Sequence, residues 1–288
     1  MSTSSMSTAS KRNDATSRAR RPHGRPPFRR PDLRPLVLAS VAGAVLTACG
    51  GGGGSPASPS QPPQAPHPLA SESAHFRFFK GEGDLVEADR QEAFHAWAVA
   101  RLGVTVPAKI DYHKYVSRED MGAHTGRYNT NGYAEPERFA IHTLWPWDNH
   151  ETVHVYSALI GRPSDFFNEG IAVAFQTDPL NGLFEPAFNG LGVHNASRQY
   201  RATGQLVLPL SRAVATADFR AIGDSVLAYR EAGSFVAFLI ERFGIDAVRR
   251  VFRTSTRDDG LPTIRERFQA AVGVSLEQAE AEWLAFLG

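Results

Sequence analysis

Asp148 to Phe175 reads DNHETVHVYSALIGRPSDFFNEGIAVAF, and this stretch decides how the chain is read. It opens with His150-Glu151-Thr152-Val153-His154, an H-E-x-x-H sequence. Positions i and i+4 of a helix lie about 40° apart around the axis and about 6 Å along it, so two imidazoles there converge on one point. Asp148 or Asn149 supplies a helix cap, and Gly161 with Pro163 an end. Thr152, Val153, Val155, Tyr156, Leu159 and Ile160 make this helix apolar nearly all round, which predicts burial. Buried His and Glu need partners, and a metal ion provides one. Ser164 then starts a second helix. With a turn centred near Arg162, His154 lies eight residues before the centre and Glu169 seven after it. An antiparallel pair therefore returns Glu169 to the level of His154 as a third ligand.

His150-Glu151-Thr152-Val153-His154 followed by Asn168-Glu169-Gly170-Ile171-Ala172 resembles the gluzincins, the thermolysin-like and aminopeptidase-like zinc peptidases. The resemblance implies one Zn²⁺ per chain held by His150, His154 and Glu169, with Glu151 as general base. The spacer between the two motifs is shorter than in the best-known members, which implies a compact subfamily. Metzincins fit poorly, because their next Gly and His fall at Ser157 and Ile160, and Met121 is the only methionine of the body. Further on, Tyr229-Arg230-Glu231-Ala232-Gly233-Ser234-Phe235 is similar to the helix whose tyrosine stabilises the oxyanion in this family; Tyr229 is the matching position. The strand Phe139 to Leu144 stands where the family's edge strand holds extended peptide. His142 is a weaker candidate for the cleft, and His194 for a second oxyanion donor. The aromatic residues Phe78, Phe79, Trp97, Phe235, Phe238 and Phe243 read as core.

Around this centre the chain reads as an α+β domain. Strand patterns at His75 to Phe79, Ile110 to Val116 and Phe139 to Leu144 come first, with a helix over Val86 to Leu102 and a turn or hairpin over Tyr128 to Ala134. Helical spacing then dominates: Val226 to Phe243, Ile245 to Phe252, Ile264 to Val272 and Leu276 to Leu287. With the resemblance, the expectation becomes a zincin-like domain over residues 75–288: a small mixed sheet, the H-E-x-x-H helix, and a mostly helical carboxy-terminal half.

The amino-terminal region reads as an address. Leu36 to Ala48, LVLASVAGAVLTA, is thirteen uncharged residues long, too short for a membrane span of about 20 residues but suited to a signal-peptide core. It ends in Leu46-Thr47-Ala48-Cys49, which resembles the lipobox of bacterial lipoproteins, where the cysteine becomes the lipidated first residue. Residues 1–48 are thus read as a basic n-region and signal peptide. Residues 49–74 follow as a lipidated Cys49 and a Gly/Pro/Ser-rich tether. The expected location is the bacterial cell envelope, anchored after export, on the periplasmic side where there are two membranes.

Composition narrows the partners. Of 31 basic and 30 acidic residues, nine and two fall within the first 34 positions, leaving 22 basic against 28 acidic beyond them. A nucleic-acid-binding body is not expected, since it would need a basic face for phosphates. Cys49 is the sole cysteine, which excludes an intrachain disulfide framework and a cysteine-based zinc site. The expected function is zinc-dependent hydrolysis of a peptide or protein substrate. The alternative is a lipid-tethered binding lipoprotein that keeps the fold without turnover.

Overall fold

The computed structural model describes residues 64–177 and 186–288. It is mixed α+β, with ten α-helices among the described residues and a five-stranded sheet toward the amino-terminal side. Leu36 to Ala48, Cys49 and the glycine-rich start of the tether lie outside the described residues. Among the described residues, no helix is long and apolar enough to cross a membrane.

The sheet runs in the order β1 (Leu69–Glu72), β2 (Phe76–Lys80), β3 (Ile110–Lys114), β5 (Ala140–Thr143), β4 (Gly132–Glu135). β2, β3 and β5 are parallel, while β1 and β4 flank them antiparallel. Alternation along the strands gives each face its own role. Phe76, Phe78, Ile110, Tyr112 and Ile141 are fully buried in the main core. On the other face four rings stack across four strands: Phe79 on His113, His113 on His142, and His142 on Tyr133, at 4.7, 4.6 and 4.5 Å. Phe79 therefore belongs to this outer ladder rather than to the main core. Phe78, Phe235 and Phe238 are core residues, and Trp97 and Phe243 pack against them.

Two sequence expectations move. The body begins before His75. Gln64 N–H donates to the Ala123 carbonyl, and Leu69–Glu72 pairs with β2. All four side chains of β1 are exposed, so its pairing is main-chain work that leaves no hydrophobic pattern to read. The second change concerns the edge strand. Phe139 to Leu144 contains β5, which has a neighbour on each side; the edge strand is β4, in the stretch read as a turn or hairpin. Its short length and its glycine hide it from periodicity.

Helix α1 (Ala88–Leu102) covers the core face and ends at Gly103, whose φ of 63° is the left-handed conformation glycine adopts freely. The short α2 (Arg118–Thr125) is capped by Ser117, which accepts from Asp120 N–H. Beyond β5 come α3 (Asn149–Ala158) and α4 (Asp165–Phe175). The small hairpin β6 (Ala187–Phe188) and β7 (Leu191–Gly192) leads into α5 (Val193–Ala202). Last are α6 (Thr216–Ala221), α7 (Ser225–Phe243), α8 (Ile245–Thr254), α9 (Leu261–Val272) and α10 (Leu276–Leu287).

Glycines decide how closely α4 and α7 approach. A Cβ on Gly170 would stand 2.6 Å from Val236 Cγ2 and 2.8 Å from the Ala232 carbonyl oxygen; one on Gly233 would stand 2.3 Å from Val173 Cγ1. Only side chains without a Cβ fit at these two points, so the glycine of Asn168-Glu169-Gly170 is a packing requirement. It brings α7, with Tyr229, against the helix that carries Glu169.

Candidate metal centre

Helix α3 begins where Asp148 caps it, its Oδ1 accepting from Glu151 N–H at 3.0 Å. Asp148 is itself enclosed, its Oδ2 accepting from Thr143 Oγ1 and its N–H donating to Gln91. Burial pushes its carboxyl up, opposed by the Thr143 and Glu151 hydrogen bonds. This buried cap fixes the first turn of α3 and hence the directions of His150 and Glu151. One turn on, His154 shares a face with His150.

The structure brings His150, His154 and Glu169 together. His150 Nε2 and His154 Nε2 are 3.3 Å apart, and Glu169 Oε2 lies 3.2 Å from the first and 3.3 Å from the second. Ligand atoms bound at about 2.0–2.1 Å in a tetrahedron stand about 3.3 Å apart. The three separations are those of one tetrahedral face. His154 and Glu169 are each 8% exposed, so water does little to screen them.

The proton arrangement shows that the donor set fits a cation. His150 Nδ1 lies 2.9 Å from Gln176 Oε1, which can only accept, so Nδ1 carries a proton. In a neutral His150 the lone pair of Nε2 then faces a carboxylate oxygen and a second imidazole nitrogen. Acceptors facing one another need a proton or a metal ion between them. Burial pulls the His150 and His154 imidazoles down, but Glu169 outweighs it and holds both above their ordinary value. Burial would likewise raise Glu169, yet the two histidines hold its carboxyl far below the usual carboxylate range. His154 Nδ1 is held by the Asn168 amide at 3.2 Å. His150 thus donates its Nδ1 proton to an acceptor away from the cluster, the arrangement typical of metal-ligating histidines; at His154 it is the amide nitrogen of Asn168 that faces Nδ1.

Gln176 was not legible in the sequence. It follows α4, 26 residues after the histidine it orients, in no motif. Its own Nε2 donates to the Ala187 carbonyl, and its main-chain carbonyl accepts from Asn149. Asn168, by contrast, sits inside the Asn-Glu-Gly motif that had drawn attention to Glu169.

Glu151 is 4% exposed and lines two cavities. The larger, about 790 Å³, includes His150, Trp145, Trp147, Phe188 and Tyr229. The smaller, about 360 Å³, includes His154 and Glu169 with Arg127, Arg162, Arg220 and Arg257. Glu151 is thus shared by the two cavities, one carrying the rings of Trp145, Trp147, Phe188 and Tyr229 and the other rich in arginine. Edge strand β4 borders both, Gly132 on the larger and Tyr133 and Ala134 on the smaller. The Tyr229 ring stacks at 5.9 Å on that of His150 and at 5.4 Å on Phe188, so Tyr229 stands at the cluster.

The other two histidine candidates are elsewhere. His142 is a satisfied strand histidine, bonded through Nδ1 to Tyr115 Oη at 2.9 Å within the outer ring ladder. His194 lies against α7 and α10, with Nδ1 2.9 Å from Ser234 Oγ and its ring on Phe286. Neither lines either cavity that shares Glu151. Among the described residues one further group could hold a metal ion, His67, Asp120 and His124.

No family model matches the chain, and no curated protein matches its sequence. The site therefore stands on its own geometry.

Proposed function

We propose that this protein is a zinc-dependent hydrolase of the gluzincin type, a metallopeptidase held at the bacterial cell envelope by a lipid on Cys49. The observation that carries the hydrolase reading is the face formed by His150 Nε2, His154 Nε2 and Glu169 Oε2, with sides of 3.2–3.3 Å. The export and anchoring reading rests on Leu36 to Cys49 alone.

In this reading His150, His154 and Glu169 hold the ion, and Gln176 and Asn168 keep the two rings turned toward it. A bound zinc ion would supply a Lewis acid that lowers the pKa of water towards about 7 and polarises a carbonyl. Glu151 makes no part of the ligand face but lies on the same helix turn as His150 and lines both cavities. It takes the proton of the attacking water and passes it to the leaving amine. The close α4–α7 contact sets the Tyr229 ring 5.9 Å from that of His150, which supports a role for its hydroxyl as donor to the developing oxyanion. The substrate is an extended peptide that adds to the edge strand β4, whose residues border both cavities.

The test is the metal content of the purified protein together with a broad peptide-cleavage screen. Zinc bound and peptides cut, both lost in His154→Ala, is the expected result. Zinc bound tightly with no cleavage of any peptide in a wide library would favour a binding lipoprotein instead.

A further inference from the structure

We propose a second metal site where the amino-terminal arm crosses α2, made by His67, Asp120 and His124 and suited to a divalent transition-metal ion. Asp120 and His124 are one turn apart on α2, so their side chains share one face. His67 reaches them from the arm just ahead of β1. His67 Nε2 lies 3.2 Å from Asp120 Oδ2, and His124 Nε2 lies 3.4 Å from Asp120 Oδ1. The two imidazole rings are 4.3 Å apart, and all three ligand atoms lie within 4.8 Å of one another.

His124 is the group that asks for an ion. Its side chain is 9% exposed, and its Nδ1 has no partner among the described residues. Its Nε2 faces Asp120 at a distance well beyond the about 2.7–2.9 Å of a charge-assisted hydrogen bond. An ion on Nε2 would engage the nitrogen that Asp120 holds only loosely, while Nδ1 keeps the ring proton. The separations of 3.2 and 3.4 Å to the carboxylate instead suit nitrogen and oxygen ligands about 2.0–2.1 Å from a shared ion. Two imidazoles and one carboxylate select zinc, nickel, copper or iron(II) over calcium or magnesium, which prefer all-oxygen shells.

The site has a structural consequence. The arm already touches α2 once through main chain, where Gln64 N–H donates to the Ala123 carbonyl at 2.9 Å. An ion between His67 and α2 would make that crossing a clamp, fixing residues 64–67 against α2. Unlike His150 and His154, His124 has no partner on Nδ1 among the described residues. Lost partners of that kind typically cost about 10–100-fold in affinity, so this site should bind more weakly than the α3–α4 centre by about that factor.

The experiment strips the full chain with a chelator, titrates it with zinc alone, and counts bound zinc by atomic emission after free ion is removed. Wild type should hold two equivalents, the second released first on dilution. His67→Ala and His124→Ala should each hold one, and the His150→Ala/His154→Ala double variant should also hold one. His67→Ala lies outside the helices and carries the test if His124→Ala does not fold. One equivalent in wild type, lost with His150, would refute this site and leave the α3–α4 centre intact. One equivalent lost with His67 would support this site and refute the other. Two equivalents unaffected by either substitution at this site would mean an adventitious ion only, and would overturn the proposal.

Discussion

Gly132 of β4 lies directly against the side chain of Glu151: a Cβ at Gly132 would stand 3.1 Å from both Cγ and Oε1 of Glu151, and 3.2 Å from Asp148 Oδ2. The edge strand and the proposed general base are thus in contact, with no space for a methyl group between them. Gly132→Ala should push the Glu151 carboxylate by a few tenths of an ångström. Because misplacements of about 1 Å cost about 10²-fold, a loss of roughly tenfold in kcat is expected, with zinc content unchanged. Equal kcat in the variant would show that Glu151 has room to give, or that its placement does not limit the reaction.

Glu151→Gln and Glu169→Ala should separate base from ligand. The first keeps all three ligand atoms and removes the proton acceptor, so zinc stays while turnover falls by about 10²–10⁴. The second removes one side of the ligand face and should weaken zinc itself. Metal analysis beside kinetics reads both; zinc lost in both variants would undo this division of roles.

Tyr229→Phe keeps the ring that stacks on His150 and Phe188 and removes only the hydroxyl. Loss of an oxyanion donor typically costs about 10²–10³ in turnover. The expected signature is a lower kcat with little change in KM. An unchanged kcat would take Tyr229 out of the chemistry and leave it as part of the cavity wall.

Glu231 makes stability depend on pH. Burial pushes its carboxyl up to about 8, against the lowering effect of Val207 N–H, which donates to Oε2 at 3.0 Å. Its Oε1 has no partner among the described residues. In the unfolded chain the same group titrates near its ordinary value of 4.5. Between these values the folded state keeps a proton that the unfolded state has lost, so its share of stability falls as pH rises from about 4.5 to about 8. The upper bound on that loss is about 5 kcal/mol. Glu231→Gln keeps an acceptor for Val207 and carries no charge. Thermal unfolding should give a higher Tm for the variant at pH 8 and a flatter curve between pH 5 and 8. Parallel curves for the two proteins would contradict this.

Cys49→Ser should release the protein from membranes without altering zinc content, because the proposed anchor and the metal centre are separate in sequence and chemistry. Fractionation that still finds the variant in the membrane pellet would refute the lipid assignment.

The candidate metal ligands were legible because local periodicity places them. Four residues make one helical turn, so His150 and His154 had to share a face, and a turn near Arg162 had to return Glu169 to that level. Phe76 to Lys80 and Ala88 to Leu102 were readable for the same reason, since each buries one regular face; the long helix over Ser225 to Phe243 was readable from its apolar residues, although it is buried on all sides from Glu231 to Ile240. Where side chains carry no burial pattern, the sequence was silent. β1 is held by main chain with its side chains outside. β4 is four residues long and starts with glycine. Phe139 to Leu144 had the composition of a strand, but its neighbours in the sheet decide whether it is an edge.

The sequence by itself determined the α+β order of elements and the convergence of His150, His154 and Glu169, with Glu151 on the same helix, because each follows from spacing within one or two adjacent helices. Tertiary structure alone decided the rest. Gln176 orients His150 from 26 positions away, β4 rather than β5 forms the edge along both cavities, and Gly170 and Gly233 let α7 close on α4 until Tyr229 meets His150. His67 likewise reaches Asp120 across 53 positions of chain. These contacts join residues far apart in the chain, and no local period encodes which distant surfaces pack; only the filled core settles that.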